Sequence, residues 1–200
     1  MNKQLWIQRR IVRKDFVPDV SFVPPMQRRR LSLLQKVMFA ISQELIGEEK
    51  DYTVFFSSRD GEYQLTRRLV HDFRDGGDVS PGRFSTSVYN AAPGLFSVFT
   101  QNQQSYSALA AGEETVECGL LEAICEQGPR LWVYAEETGG GYGCGAFLSD
   151  GPEGVPVRCT AGDPARTPLT FAAAADFLEG RSRRLAGRYV TLEVAEGNVW

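Results

Sequence analysis

Histidine is almost absent from this 200-residue sequence, in which only His71 occurs. Chemistry that needs two imidazoles from the chain is therefore excluded. CxxC pairs are also missing, and the four cysteines fit a reduced cytosolic protein better than a disulfide framework or a zinc site. No run of 18 apolar residues occurs, and the first residues lack the apolar core of a signal peptide. We expect a cytoplasmic protein with no membrane span and no metal site.

Acidic residues are scarce in the N-terminal segment of the chain. Residues 1–36 contain nine Lys or Arg and two Asp or Glu, whereas residues 37–200 contain thirteen and twenty-three. A basic segment of this kind is compatible with nucleic acid, anionic lipid or an acidic protein as its partner. The cluster Arg28, Arg29 and Arg30 is too short and too poor in aromatic neighbours for a nucleic-acid site. It is either a solvated basic face or a docking point for an acidic protein.

Apolar periodicity predicts one domain, residues 1–200, in which strands alternate with helices. Such alternation is typical of an α/β sandwich with at least partly parallel strands. Residues 80–100 are predicted as one buried helix interrupted near Pro93 and Gly94. The other predicted helices span about 31–46, 62–74, 113–126 and 168–179, and the predicted strands span 5–12, 52–57, 104–110, 130–135, 143–149 and 188–195.

The familiar motifs of catalysis and nucleotide binding are missing. The glycine-rich segment 138–145 lacks the Lys-Ser/Thr ending of a P-loop, and it precedes a strand rather than a helix, so a tight turn is predicted. Cys118 and Cys125 fall seven residues apart on one predicted helix, and we expect them to pack in the core. His71 lies late in a helix beside Asp72, where a surface or capping role is expected.

Two adjacent carboxylates, Glu113 and Glu114, open a predicted helix directly after a strand. Acidic residues in a first helical turn complement the helix dipole, which is a sufficient physical reason for their presence. The segments on either side of Glu113 and Glu114 add a second, functional interpretation of this position.

Four segments, residues 24–35, 55–70, 80–98 and 108–123, together resemble the short relatives of β-ketoacyl synthases known as ketosynthase N-terminal-like or chain-length-factor proteins, which are found in aryl-polyene pathways. The resemblance covers about residues 20–150. The family usually has Ser-Val-His-Asn where this chain has Ser87, Val88, Tyr89 and Asn90, so the role of that histidine is not carried over.

The resemblance implies the N-terminal half of the thiolase-like α/β/α sandwich. In ketosynthases the nucleophilic cysteine opens a helix after a strand, and that position falls here at Glu113, or at Glu114 with a slip of one residue. Active ketosynthases also need two histidines from their C-terminal half, which this chain lacks. The resemblance therefore implies that this chain is a non-catalytic chain-length factor, which pairs with a full-length, cysteine-bearing ketosynthase and shapes that enzyme's acyl tunnel.

The same resemblance assigns residues to the interface and the tunnel. The segment after Ser80-Pro81 contributes Arg83, Phe84, Ser87, Val88, Tyr89 and Asn90, and the strand before the nucleophile position contributes Ser105, Tyr106, Ser107, Ala108 and Leu109. A bulky Phe84 would limit chain length, although ordinary core packing explains it equally well. No cofactor of the chain's own is implied, because the substrate arrives on the phosphopantetheine of acyl carrier protein, which Arg28, Arg29 and Arg30 would contact.

Two other functions stay open. The protein could be a scaffold that only gathers the carrier protein and pathway enzymes. It could also be a malonyl-carrier-protein decarboxylase that uses Glu113, although decarboxylating relatives retain the histidines that this chain lacks.

Overall fold

The computed structural model describes residues 1–198 and 200, and its strands form a single mixed sheet. The strands are β1 (Asn2–Lys14), β2 (Thr53–Ser57), β3 (Tyr106–Leu109), β4 (Arg130–Glu136), β5 (Tyr142–Ser149), β6 (Val155–Ala161), β7 (Arg184–Ala186) and β8 (Val190–Val194). Their order across the sheet is β3-β2-β4-β5-β1-β6-β8-β7. Strand β2 runs parallel to β3 and β4, and the other neighbouring pairs are antiparallel.

Helices cover both faces of this sheet. They are α1 (Pro25–Arg28), α2 (Leu33–Ile46), α3 (Tyr63–Arg74), α4 (Pro81–Ser85), α5 (Ala91–Thr100), α6 (Thr115–Cys125) and α7 (Phe171–Leu178). Helices α2 and α5 contribute to one apolar cluster, and α6 and α7 to a second one on the opposite face. Strands β4 and β5 lie between the two clusters, so nearly all their residues are buried. None of the helices in this described part of the chain is long and apolar enough to cross a bilayer.

Residues at the two ends of helix α2 determine where it begins and where it ends. Ser32 Oγ accepts from the Gln35 N–H at 3.0 Å, and the Gln35 side chain accepts from the Ser32 N–H at 3.1 Å, which is a capping box. The helix ends at Gly47, whose positive φ of 58° suits glycine.

Two glycines of β5 allow α2 to lie close to the sheet. A Cβ atom at Gly143 would lie 2.7 Å from Ile41 Cδ1, and one at Gly145 would lie 2.8 Å from Leu45 Cδ1. Such separations are far below van der Waals contact, so larger residues here would push the helix away. This packing explains the alternating glycines in a strand that is otherwise apolar.

Strand β3 forms one edge of the sheet and leaves part of its backbone free. The N–H of Val54 and that of Ser58 donate to the carbonyls of Ser105 and Leu109. Because hydrogen bonding alternates along a parallel strand, the N–H and C=O groups of Tyr106 and Ala108 point away from β2, toward the open edge. Strand β7 forms the other edge.

Most predicted elements are confirmed, with four corrections. The break in residues 80–100 lies at residues 86–90, before Pro93, because proline is tolerated in the first turn of α5. Strands β6 and β7 were not predicted. Helix α6 begins at Thr115 after a 3-10 turn over Gly112–Glu114. Half of a two-half fold is also expected to leave an apolar sheet face uncovered, but helices pack against both faces, and within the described residues it is the edges at β3 and β7 that have no further strand beside them.

Candidate functional site

The position that the resemblance assigns to the nucleophile, Glu113 or Glu114, lies in the 3-10 turn between β3 and α6. Glu113 is exposed there. Glu114 is half-buried, and its carboxylate pairs with Arg188 Nη1 and accepts from the Tyr189 hydroxyl at 2.9 Å. The structure thus leaves Glu113 free at this position and uses Glu114 to hold the segment before β8.

A cavity of about 460 Å³ opens beside Glu113. Its walls include Arg59 and three aromatic side chains, Tyr134, Tyr142 and Phe171, of which the last two have ring centroids 4.8 Å apart. None of the residues that line it is a cysteine or a histidine. The cavity therefore contains neither the sulfur nor the imidazoles that a condensing enzyme needs.

The nearest sulfur in sequence is a poor nucleophile. Cys118 lies one turn into α6 and is half-buried. Burial raises the pKa of its thiol, and the carboxylates of Glu114 and Glu117 raise it further. Because the thiolate is the reactive species, this environment disfavours attack by Cys118.

The predicted packing of the cysteines is only partly right. Cys125, at the end of α6, is exposed, so its packing prediction is wrong. Cys144 and Cys159 are the buried cysteines. His71 is exposed late in α3 and pairs with Asp75 at 3.1 Å, which confirms its surface role.

Tyr89 occupies the position where the family usually has histidine, and it joins two strand ends. Its hydroxyl accepts from the Ser58 N–H at 2.8 Å and contacts the carbonyl oxygens of Ser58 and Leu109. Burial raises the pKa of the phenol above its usual value. Tyr89 therefore acts as a neutral link between the carboxyl ends of β2 and β3.

Two buried carboxylates support the loop that follows β2. Glu136 accepts from Ser58 Oγ at 3.1 Å and from the N–H groups of Arg59 and Asp60. Burial raises the pKa of Glu136, and these hydrogen bonds oppose the shift. The loop is thereby fixed beside the cavity that contains Glu113.

Glu62, the second buried carboxylate, connects this loop to α2. Its Oε1 accepts from Ser32 Oγ at 2.9 Å and from Gln35 Nε2 at 2.8 Å. Its Oε2 is buried with no hydrogen-bond partner among the described residues. Burial raises the pKa of Glu62 to about 7, against the opposing effect of the two hydrogen bonds.

This pKa makes stability depend on pH in a definite direction. Folded Glu62 retains its proton up to about pH 7, whereas an unfolded glutamate loses it near pH 4.5, so stability falls as the pH rises between these values. Between pH 5 and pH 8 we expect the wild type to lose about 3 kcal/mol of unfolding free energy relative to Glu62→Gln. Urea denaturation at both pH values measures the difference.

Glu48→Gln, in an exposed loop, is the matched control and should follow the wild type. Parallel pH profiles for the wild type and Glu62→Gln would contradict this prediction.

The interface and tunnel residues assigned in the segment after Ser80-Pro81 are either exposed or half-buried. Phe84 and Val88 are 62% and 46% exposed, and Arg83 and Asn90 are exposed as well. Ser87 is half-buried, with its hydroxyl bonded to the Phe84 carbonyl. The exposure of Phe84 excludes ordinary core packing as its role within this chain.

The residues of the β3 segment divide between the open edge and the interior. Tyr106 is 41% exposed on the α5 side, whereas Ser107 faces α6 and donates to Glu122 at 2.6 Å. The carbonyls of Ser105 and Leu109 accept hydrogen bonds from β2. The N–H and C=O groups of Ala108 point away from β2, toward the open edge.

Sequence reasoning missed Val98, which is 69% exposed on α5 and lines a groove of about 780 Å³ together with Tyr106. The buried positions Ala91, Ala92 and Phe96 mark the core face of α5. Because Val98 lies seven residues after the buried Ala91, a helical projection places both on the same side of α5, so the periodicity of the sequence gives no signal for the exposure of Val98.

The three predicted docking arginines have different environments. Arg28 donates to the carbonyls of Ser21 and Val23, which closes the turn before α1. Arg29 and Arg30 are exposed and line a groove beside α2. Only these two side chains are available to a partner without breaking internal bonds.

Comparison with known families decides the assignment. The family model described as beta-ketoacyl synthase, N-terminal domain, matches residues 3–136. The chain belongs to this family. Among curated proteins, no significant match is found.

Solved structures of ketosynthases have the same fold. A ketosynthase (ApeO) in complex with its chain length factor (ApeC) from Xenorhabdus doucetiae matches with a TM-score of 0.69 and 20% identity, over 85% of this chain and 80% of that one. A beta-ketoacyl synthase from Burkholderia phymatum gives a TM-score of 0.58 and 12% identity, over 82% and 56% of the two chains. The ishigamide ketosynthase/chain length factor gives 0.52 and 18%, over 72% and 54%.

These matches confirm the resemblance and the thiolase-like α/β/α sandwich of the N-terminal ketosynthase half. This chain spans only about half the length of the second and third structures.

Proposed function

We propose that this ketosynthase-like chain is a non-catalytic subunit of the chain-length-factor type. It pairs with a full-length, cysteine-bearing ketosynthase and borders that enzyme's acyl tunnel during chain elongation of the aryl-polyene kind. The observation that carries the proposal is the nucleophile position, which holds Glu113 in place of cysteine beside a cavity without histidine.

The β3 edge supports the pairing. Its outward N–H and C=O groups at Tyr106 and Ala108 offer a partner strand two sets of backbone hydrogen bonds. The neighbouring Val98 and Tyr106 add exposed apolar surface, as expected at the centre of an interface.

Phe84 is the proposed length-limiting residue. It is a large, exposed aromatic side chain on α4, and in the complex it would reach the partner's acyl pocket and close its end. Burial of one methylene is worth about 0.8 kcal/mol, so excluding a two-carbon unit changes the preference for a product by roughly tenfold or more.

Carrier-protein docking is part of the same proposal. Arg29 and Arg30 would contact the acidic surface of the acyl carrier protein, which delivers the chain on its phosphopantetheine. No cofactor of the chain's own takes part.

Phe84→Ala is expected to shift the products of the co-expressed synthase complex toward longer chains by at least one two-carbon unit. Mass spectrometry of the released chains measures this shift. Phe73→Ala, which removes a similarly exposed phenylalanine on α3, is the matched control and should leave product length unchanged.

An unaltered length distribution from a complex that still forms would contradict the tunnel role and favour the scaffold function instead.

A further inference from the structure

Four arginines from three different segments converge on one groove. The groove has a volume of about 790 Å³, within the range of small-molecule sites. Arg29 and Arg30 follow α1, Arg68 lies on α3 and Arg83 on α4. No aspartate or glutamate is among the residues that line this groove.

The four guanidinium groups form no ion pair with a carboxylate of the described residues. Within residues 1–198 and 200, none of them lies within 4 Å of a carboxylate. All four side chains are exposed. The nearby carboxylate of Glu62 accepts from Ser32 and Gln35 through Oε1, and it is not among the residues that line the groove, although its charge is felt by Arg68. Gathering four like charges is unfavourable unless an anion binds among them.

The rest of the groove is largely apolar, with hydroxyl groups near the arginines. Ser80, Ser85 and Thr86 supply hydroxyls on the α4 side. The apolar surface comes from five side chains, one just before α2, two on α3 and two on α5: Leu31, Leu65, Leu69, Leu95 and Phe99.

We propose that this groove binds a single amphiphilic molecule with a phosphate head and an apolar body. Guanidinium groups bind carboxylate and phosphate alike through two parallel hydrogen bonds. Four arginines together favour a phosphate headgroup, because it carries more negative charge and has more acceptor oxygens than a carboxylate. The leucines and Phe99 bury the apolar body. A volume of about 790 Å³ accommodates one small molecule.

The site shares Arg83 with the proposed interface, and Arg29 and Arg30 with the proposed carrier-protein contacts, but not the other tunnel residues. Arg83 lines the groove, but Phe84, Ser87 and Val88 are not among its lining residues. The proposal therefore does not depend on pairing with a ketosynthase.

Isothermal titration of the full chain with octyl phosphate, kept below its micelle concentration, tests the proposal. Octyl phosphate should bind at least tenfold more tightly than inorganic phosphate or octanol. Arg68→Ala/Arg83→Ala should weaken octyl phosphate binding at least tenfold. Leu65→Ser should weaken octyl phosphate binding and leave inorganic phosphate binding unchanged.

Arg158→Ala/Arg184→Ala removes two exposed arginines outside the groove and is the control, which should bind like the wild type. Equal affinity for octyl phosphate and inorganic phosphate would overturn the proposal, as would binding that the groove arginines do not affect. Sedimentation with phosphatidic acid vesicles, without binding of octyl phosphate, would also overturn it and indicate a membrane surface as the ligand.

Discussion

Replacing Glu117 by alanine is expected to lower the free energy of unfolding by about 3–5 kcal/mol. This carboxylate is fully buried on α6. It accepts from the N–H groups of Leu169 and Val190, each at 3.1 Å, and from that of Tyr189. Alanine would leave three buried donors without an acceptor and a cavity in the packed interface between α6 and β8.

Glu117→Gln is the matched variant, because the oxygen of its amide can still accept from some of these three N–H groups. We expect it to cost less than half as much as Glu117→Ala. Glu113→Ala, at the exposed end of the same region, should cause no measurable loss. Urea denaturation of the three variants gives the comparison, and equal stability of Glu117→Ala and Glu113→Ala would contradict the role of Glu117.

Replacing Ala108 by proline is expected to weaken assembly with the ketosynthase about 100-fold, if the proposed pairing through β3 is correct. The N–H of Ala108 points toward the open edge, so proline removes a donor offered to the partner without breaking a hydrogen bond to β2. Its ring would also obstruct a strand that approaches this edge. Surface plasmon resonance with the immobilised synthase measures the affinity.

The other edge of the sheet provides the control. Next to the two ends of β7, the carbonyl of Arg183 and the N–H of Gly187 bond to β8. Because hydrogen bonding alternates along the strand, the N–H of Ala186 points away from β8. Ala186→Pro should therefore perturb the chain similarly but bind the synthase normally. Equal losses for both variants, with unchanged melting temperatures, would show that β3 is not the pairing edge.

The elements predicted correctly are those whose signals are local. Helix α2 combines an apolar periodicity with a capping box at Ser32 and a terminal Gly47. Strand β4 contains a continuous apolar run over residues 131–135, and its residues are buried throughout. In both cases a short stretch of sequence contains the information that determines the structure.

The missed strands lack such signals. Strand β6 contains Pro156 and Arg158, and its burial alternates irregularly. Strand β7 has only three residues and is defined by its pairing with β8. Their positions depend on neighbours that are distant in sequence.

The site was predicted only in part for the same reason. The location of Glu113 and Glu114 directly after β3 followed from the sequence, but they lie in a 3-10 turn and not in the first turn of α6 as predicted. The pairing of Glu114 with Arg188, 74 residues away, could not be inferred from any local pattern. The same holds for the buried acceptors Glu62 and Glu117, since an isolated glutamate in a helical segment is normally exposed.

Light scattering on a gel-filtered mixture tests the central proposal most directly. The chain is combined at micromolar concentration with a full-length, cysteine-bearing ketosynthase from the same gene cluster. The proposal predicts a stable one-to-one complex that elongates acyl chains, whereas the chain alone catalyses no condensation. Separate elution of the two proteins, or condensation by this chain without the synthase, would contradict it.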